Sequence, residues 1–184
     1  MKILVTGDRG YIGATLVPML RKKYEVIGYD SGYFSENLLE QFDEDYIKIT
    51  KDIRDISRED LEEVDGIIHL AGLSNDPLGE FSPKLTEEIN YSGTIRLAEM
   101  AKDIGVSRFV YASSQSMYGV SDTSNELDED DSEKNPVTAY AIAKWKAEQQ
   151  LHSMSTDNFV VTSLRPSTVF GASPRLRCDI VFNN

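Results

Sequence analysis

Apolar residues recur along this chain in two rhythms. Short continuous runs such as Ile3-Leu4-Val5 suit strands buried on both faces of a parallel sheet. Elsewhere apolar residues fall three or four apart, as in Ile12, Leu16, Val17 and Leu20, which gives a helix one apolar side. Read this way, strands are expected at residues 2–6, 25–29, 45–49, 66–70, 107–112 and 158–164. Helices are expected at 11–23, near 57–62, at 84–104 and at 137–153. Residues 35–44 suit either a short helix or a loop. Strand and helix patterns alternate without hairpin signals, which implies right-handed βαβ units in an α/β fold with a doubly wound parallel sheet.

The first strand runs into Thr6-Gly-Asp-Arg-Gly-Tyr-Ile-Gly13 and then into a helical pattern. Gly7 permits a tight turn, Gly10 lets a pyrophosphate approach the backbone, and Gly13 lets the helix pack close to the strand. The amides and positive dipole end of that helix would face the phosphates. Asp30 ends the second strand about twenty residues on, where an acid accepts hydrogen bonds from an adenosine ribose and repels a 2′-phosphate. Glycines in this spacing also suit a plain strand-to-helix turn. The strand, the helix and Asp30 together favour a dinucleotide site, and Asp30 favours NAD over NADP.

Composition narrows the class. The chain has 184 residues, 40 % apolar and 27 % charged, ordinary values for one globular domain. No apolar stretch approaches the ~20 residues that cross a membrane, and Met1 leads directly into a strand, so a cytoplasmic protein is expected. A net charge of −12 disfavours nucleic acid and anionic membranes as partners. One cysteine, Cys178, excludes an internal disulfide framework, and with two distant histidines it suggests no metal site.

Chemistry concentrates where strands end. His69-Leu70-Ala71-Gly72 closes a buried strand on small residues that let a cofactor pass, and His69 reads as a packed core histidine rather than a base. Asp52-Ile53 follows the third strand. An acid there reaches an adenine amine or is merely solvated, and spacing does not choose. Ser113 and Ser114 follow the fifth strand, at the sheet edge where open α/β folds place ligands. Tyr140 and Lys144 are one turn apart at the start of a helix, hence on one face. A lysine ammonium near a phenol favours the phenolate and makes tyrosine usable as a base. The acidic stretch between Gly119 and Pro136 has no period and reads as a surface loop.

Taken together, the glycine loop, Asp30, Asp52-Ile53, His69-Leu-Ala-Gly72, Asn90-Tyr-Ser-Gly-Thr94, Ser113-Ser114, Tyr118-Gly119, Tyr140-x-x-x-Lys144 and Leu164-Arg-Pro-Ser-Thr-Val-Phe-Gly171 resemble the NAD-dependent nucleotide-sugar epimerase/dehydratase family of extended short-chain dehydrogenase/reductases. The resemblance implies a Rossmann fold over residues 1–171, with residues 172–184 opening a substrate-binding region that is largely missing. It implies that Ser114, Tyr140 and Lys144 are catalytic. Gly7, Gly10, Tyr11, Ile12, Gly13, Asp30, Asp52, Ile53, Leu70, Ala71, Gly72, Tyr140 and Lys144 would bind NAD, and no metal is implied. Asn90 would brace the site, and the segment after Arg165 would border the nicotinamide.

The activity implied is epimerisation of a nucleotide sugar at C4. Net oxidation or keto-reduction is the first alternative and an inert NAD-binding fragment the second. Family dehydratases carry an Asp-Glu pair where this chain has Gln115 and Ser116, which disfavours dehydration. A homodimer through the 84–104 and 137–153 helices is expected.

Overall fold

In the computed structural model, which describes residues 1–34, 39, 45–74, 76–120 and 126–177, six strands form one parallel sheet. They are β1 (Lys2–Thr6), β2 (Glu25–Asp30), β3 (Ile47–Thr50), β4 (Gly66–His69), β5 (Arg108–Ala112) and β6 (Val160–Leu164). The order across the sheet is β3-β2-β1-β4-β5-β6, every pair parallel. The chain reverses direction of growth between β1 and β4, and the ends of these two strands flank the crevice that such sheets use for ligands.

Each strand presents alternate residues to two apolar layers. Ile3, Val5, Val17 and Val26 are buried beneath α1 (Gly13–Leu20), with Ile68 and Leu70 packed against them. The opposite face carries the larger core, including Leu4, Ile67, Phe109, Tyr111, Leu97, Ala147 and Leu151. This layer is covered by α4 (Thr94–Ile104) and α5 (Ala139–Met154).

The helix expected at 84–104 is not uniform. It consists of α3 (Pro83–Glu87), a π-helical turn (Glu88–Gly93) and α4. Asn90 sits inside the π turn, fully buried. Its amide clamps the backbone of Leu73, accepting from the N–H at 2.8 Å and donating to the carbonyl at 2.9 Å. The side chain faces inward from this wider turn, a form found frequently at functional sites. Another helix, α2 (Asp76–Phe81), has no periodic signal in the sequence. The first helix begins at Gly13 rather than residue 11, because Tyr11 and Ile12 complete the glycine turn. The short helix near 57–62 is a 3-10 turn at Glu59–Leu61.

Most of the segment at 35–44, part of the acidic loop (121–125) and residues 178–184, Cys178 among them, lie outside the described residues. Among the described residues no helix is long and apolar enough to cross a membrane, and no cluster of metal-ligating side chains occurs.

Candidate active site

The loop joining β1 to α1 is held by its own backbone. Gly7 donates to Tyr29 O at 2.8 Å and accepts from Gly10 N at 3.0 Å. Its φ of +74° lies in the left-handed region, and a Cβ there would stand 2.8 Å from Ala71 N, so only glycine brings this loop against the end of β4. A Cβ on Gly13 would overlap the Gly7 carbonyl oxygen and the Asp8 backbone. Gly13→Ala should therefore abolish dinucleotide binding in a calorimetric titration and lower stability by about 1–3 kcal/mol in urea unfolding. Unchanged binding would refute this reading of the loop.

Among the described residues the amides of Ile12 and Gly13 meet no acceptor, which leaves the α1 N-terminus open to an anion. Tyr11 donates from its hydroxyl to Gly171 O at 2.7 Å, and Ser173 Oγ donates to Tyr11 O at 2.8 Å. These bonds fold the segment after β6 back over the glycine loop.

Two residues of the loop acquire partners that spacing could not reveal. Asp8 is buried, which pushes its carboxyl upward, and Tyr46 donates to its Oδ2 at 2.7 Å. Arg9 donates from Nη2 to Asp30 O at 2.7 Å and to Thr50 Oγ1 at 3.0 Å. Asp30 ends β2, and its Oδ1 accepts from Gly32 N at 2.7 Å. Asp52 is gripped by Arg54, which donates to Oδ1 from both its amide and Nε at 2.9 Å and to Oδ2 from Nη2 at 2.8 Å. That pairing holds the Asp52 carboxyl below its ordinary range. The Ile53 side chain is buried in the core, so an approaching ligand could meet only its backbone.

His69 is a core residue, as its apolar setting predicts. It is fully buried between Thr6 and Thr94, with Nδ1 2.6 Å from Thr6 Oγ1 and Nε2 2.8 Å from Thr94 Oγ1. Thr94 Oγ1 donates to Asn90 O at 2.9 Å, so it accepts from His69 Nε2–H, and Nδ1 in turn accepts from Thr6. Burial lowers the His69 pKa to about 3, with Lys144 adding to the effect. The unfolded ring titrates near 6.5, so this group's contribution to stability is intact above about 6.5 and falls with pH down to about 3. His69 ring resonances in the folded protein should stay fixed between about pH 8 and 5. Movement centred near 6.5 would show that the ring is not sealed.

Beyond β4 and β5 the remaining residues converge. Leu70, Ala71 and Gly72 continue β4, half-buried, beside the glycine loop. Ser114 is buried at the end of β5, where its Oγ accepts from Ser116 N at 3.1 Å and donates to Ser116 Oγ at 3.0 Å. Tyr140 occupies the first turn of α5. That turn is capped by Thr138 Oγ1, which accepts from Ala141 N at 3.1 Å, and by Glu80, which accepts from Ala139 N at 2.7 Å. One turn on, Lys144 is only 4 % exposed. Its Nζ donates to Ala112 O at 2.8 Å and lies 6.0 Å from the centre of the Tyr140 ring. Burial lowers the Lys144 pKa to about 8. The pair predicted from a four-residue spacing thus stands at the C-terminal edge of the sheet, with Ser114 on the strand end that Lys144 grips.

A buried ion pair ties this arrangement together. Glu148 Oε1 accepts from Arg165 Nε at 2.9 Å and Nη2 at 2.6 Å, while Arg165 Nη1 donates to Tyr118 Oη at 2.8 Å. It joins α5, the segment after β6 and the turn following Ser114. A surface depression lined by Arg58, Leu61, Glu63 and Asp65, among others, lies elsewhere. It is at the opposite end of the strands and contains none of the predicted site residues.

The molecule matches known proteins in both sequence and shape. The chain is 32 % identical over 186 residues to the UDP-glucose 4-epimerase of Bacillus subtilis, covering 95 % of this chain and 54 % of that protein. It superposes with a TM-score of 0.86 on the UDP-N-acetylglucosamine 4-epimerase of Methanobrevibacter ruminantium, solved with UDP-N-acetylmuramic acid. Identity there is 26 %, with all of this chain and 59 % of that one covered. MoeE5, solved with UDP-glucuronic acid and NAD, gives a TM-score of 0.83 at 29 % identity, covering 98 % of this chain and 58 % of the other. The chain spans about half the length of the curated relatives it matches. With its glycine loop, its Tyr140–Lys144 face and a family model matched over residues 3–181, the chain belongs to the NAD dependent epimerase/dehydratase family.

Proposed function

We propose that this chain is the NAD-binding part of a nucleotide-sugar 4-epimerase. The carrying observation is the buried Lys144 ammonium, anchored to Ala112 O at 2.8 Å beside Ser114 and one helical turn from Tyr140. In this reading Gly7, Gly10, Tyr11, Ile12 and Gly13 cradle the pyrophosphate, and Asp30 holds the adenosine ribose. Asp52 and the Ile53 backbone meet the adenine, while Leu70, Ala71 and Gly72 border the cofactor. NAD, when bound, supplies a site that accepts and returns a hydride. Tyr140 Oη takes the proton of the sugar O4 hydroxyl, Ser114 Oγ orients that hydroxyl, and the Lys144 ammonium favours the phenolate. Tyr140 then returns the proton to a 4-keto sugar that has presented its other face, and no net redox change remains.

Residues 1–171 would form the cofactor domain, and residues 172–184 would open the sugar-nucleotide region. Gln115 and Ser116 offer no carboxylate for loss of water. Net oxidation or keto-reduction would use the same three side chains. With UDP-sugars and NAD, stable NADH accumulation by a protein of its relatives' length would favour that alternative. An inert cofactor-binding fragment is excluded if the 184-residue chain itself turns over a nucleotide sugar.

The cytoplasmic location and a homodimer belong to the same proposal. The π turn, α4 and α5 pack side by side, with Tyr91 Oη donating to Gln150 Oε1 at 2.6 Å, and their outer faces would meet a second copy. A monomer in sizing chromatography at tens of micromolar would count against it.

The deciding experiment is calorimetric titration of this chain with NAD⁺ and, separately, NADP⁺. Binding of NAD⁺ alone is expected, because the Asp30 carboxylate repels a 2′-phosphate. Tight NADP⁺ binding would shift the selecting role to Arg9.

A further inference from the structure

We propose that Tyr111 is a positioning residue of this site: the face of its ring, 4.8 Å from Lys144 Nζ, holds the ammonium charged and aimed along the end of β5 toward Tyr140. The inference rests on reading Tyr140 and Lys144 as the reactive pair.

A lysine this deeply buried ordinarily has an acidic partner. Among the described residues Lys144 has none within ion-pair distance. The groups facing it are few. From β5 come the Ala112 carbonyl, which takes one N–H at 2.8 Å, and the Tyr111 ring. From β4 comes His69, neutral in its threonine clamp. From the π turn comes Asn90, whose Oδ1 is held by Leu73 N, close to where a Gly72 Cβ would approach Lys144 Nζ. On α5 itself there are Tyr140, at 6.0 Å, and Glu148, whose Oε1 is taken by Arg165. Among the described residues the positive charge is thus supported by one carbonyl and an aromatic face.

That choice of partner suits the chemistry. A carboxylate beside Lys144 would hold the ammonium equally well but would oppose a phenolate forming on Tyr140. A ring stabilises the cation without placing a localised negative charge near the phenol. Tyr111 is well fixed for this role. It is fully buried and pairs in register with His69, whose ring lies parallel to it at 5.9 Å and 19°. Burial also pushes the Tyr111 hydroxyl well above its usual range, so the ring remains a neutral phenol.

The test weakens the ring face without altering its shape. Position 111 of the 184-residue chain would carry tyrosine, phenylalanine, or phenylalanine analogues with one and three ring fluorines. The Lys144 midpoint would be followed by NMR of ¹³C-labelled lysine, with Lys144→Met identifying the signal. Tyr111→Phe should titrate with the wild type, and the midpoint should fall stepwise with fluorination, by about one pH unit for three fluorines. A midpoint that stays flat across the series, or one that moves as far with Tyr111→Phe as with three fluorines, overturns the proposal. Tyr111→Leu, which leaves a cavity, is checked for folding by circular dichroism and should lower the midpoint at least as far. The titration needs neither cofactor nor turnover. If wild-type protein epimerises no nucleotide sugar but the midpoint still follows the ring, the functional reading fails while the assignment of Tyr111 stands.

Discussion

Tyr140→Phe, in the protein assayed at the length of its curated relatives, should lower kcat by roughly 10²–10⁴-fold, the range expected when a positioned proton-transfer group is removed. Phenylalanine keeps the ring and its place in the first turn of α5, and it removes only the hydroxyl. The loss should therefore fall on kcat rather than on KM for the nucleotide sugar. Lys144 loses its charge progressively as pH rises through its depressed pKa of about 8. Wild-type activity should accordingly decline above about pH 8, as Tyr140 loses its positive neighbour. Steady-state kinetics across pH 6–10 check both statements. A variant retaining more than about a tenth of wild-type kcat would exclude Tyr140 as the base.

Arg165→Leu should have the largest effect on stability. Glu148 is 2 % exposed and its Oε2 meets no partner among the described residues. Its charge is tolerated because the Arg165 guanidinium, itself 17 % exposed, donates twice to Oε1. Removing the guanidinium leaves a buried carboxylate uncompensated, at a cost of about 3–5 kcal/mol. For a domain of this size the corresponding fall in Tm is roughly 6–20 °C. The double variant Arg165→Leu with Glu148→Leu should recover most of the loss, since two apolar side chains leave nothing charged to bury. Calorimetric melting of the three proteins decides this. A single variant within about 1 kcal/mol of wild type would show that water or another donor reaches Glu148.

How much of this was legible beforehand depended on how local each feature is. The glycine loop is one contiguous stretch, and Tyr140 and Lys144 are one helical turn apart. Spacing alone therefore places their groups together, whatever the rest of the chain does. The β strands were legible for a related reason, since a sheet covered on both faces needs apolar runs and little else. The sixth strand begins two residues later than expected, at Val160. Thr156 and Phe159 instead close a small turn of their own, with Thr156 N donating to Phe159 O at 2.9 Å.

The features that escaped are those made by distant residues. Asn90 alone could not show that its helix opens into a π turn, because the reason lies in Leu73, on a loop seventeen residues earlier. The α2 helix has no apolar period. It matters because it brings Glu80 to the α5 N-terminus, fifty-nine residues on. Tyr111 reads as one more apolar residue in a strand, and only the parallel pairing of β4 with β5 and the packing of α5 above them place its ring beneath Lys144.

The sequence by itself determined the fold class, the glycine turn and the shared face of Tyr140 and Lys144, because each follows from backbone conformation and periodicity over a few residues. The tertiary structure alone decided what surrounds those groups. It set the tautomer of His69, the pairing of Glu148 with Arg165, the hold of Arg54 on Asp52 and the absence of an acid beside Lys144 among the described residues. Those outcomes depend on which strands become neighbours. In a sheet ordered β3-β2-β1-β4-β5-β6, neighbours are set by the burial of both faces at once, a property of the whole chain and of no single stretch of it.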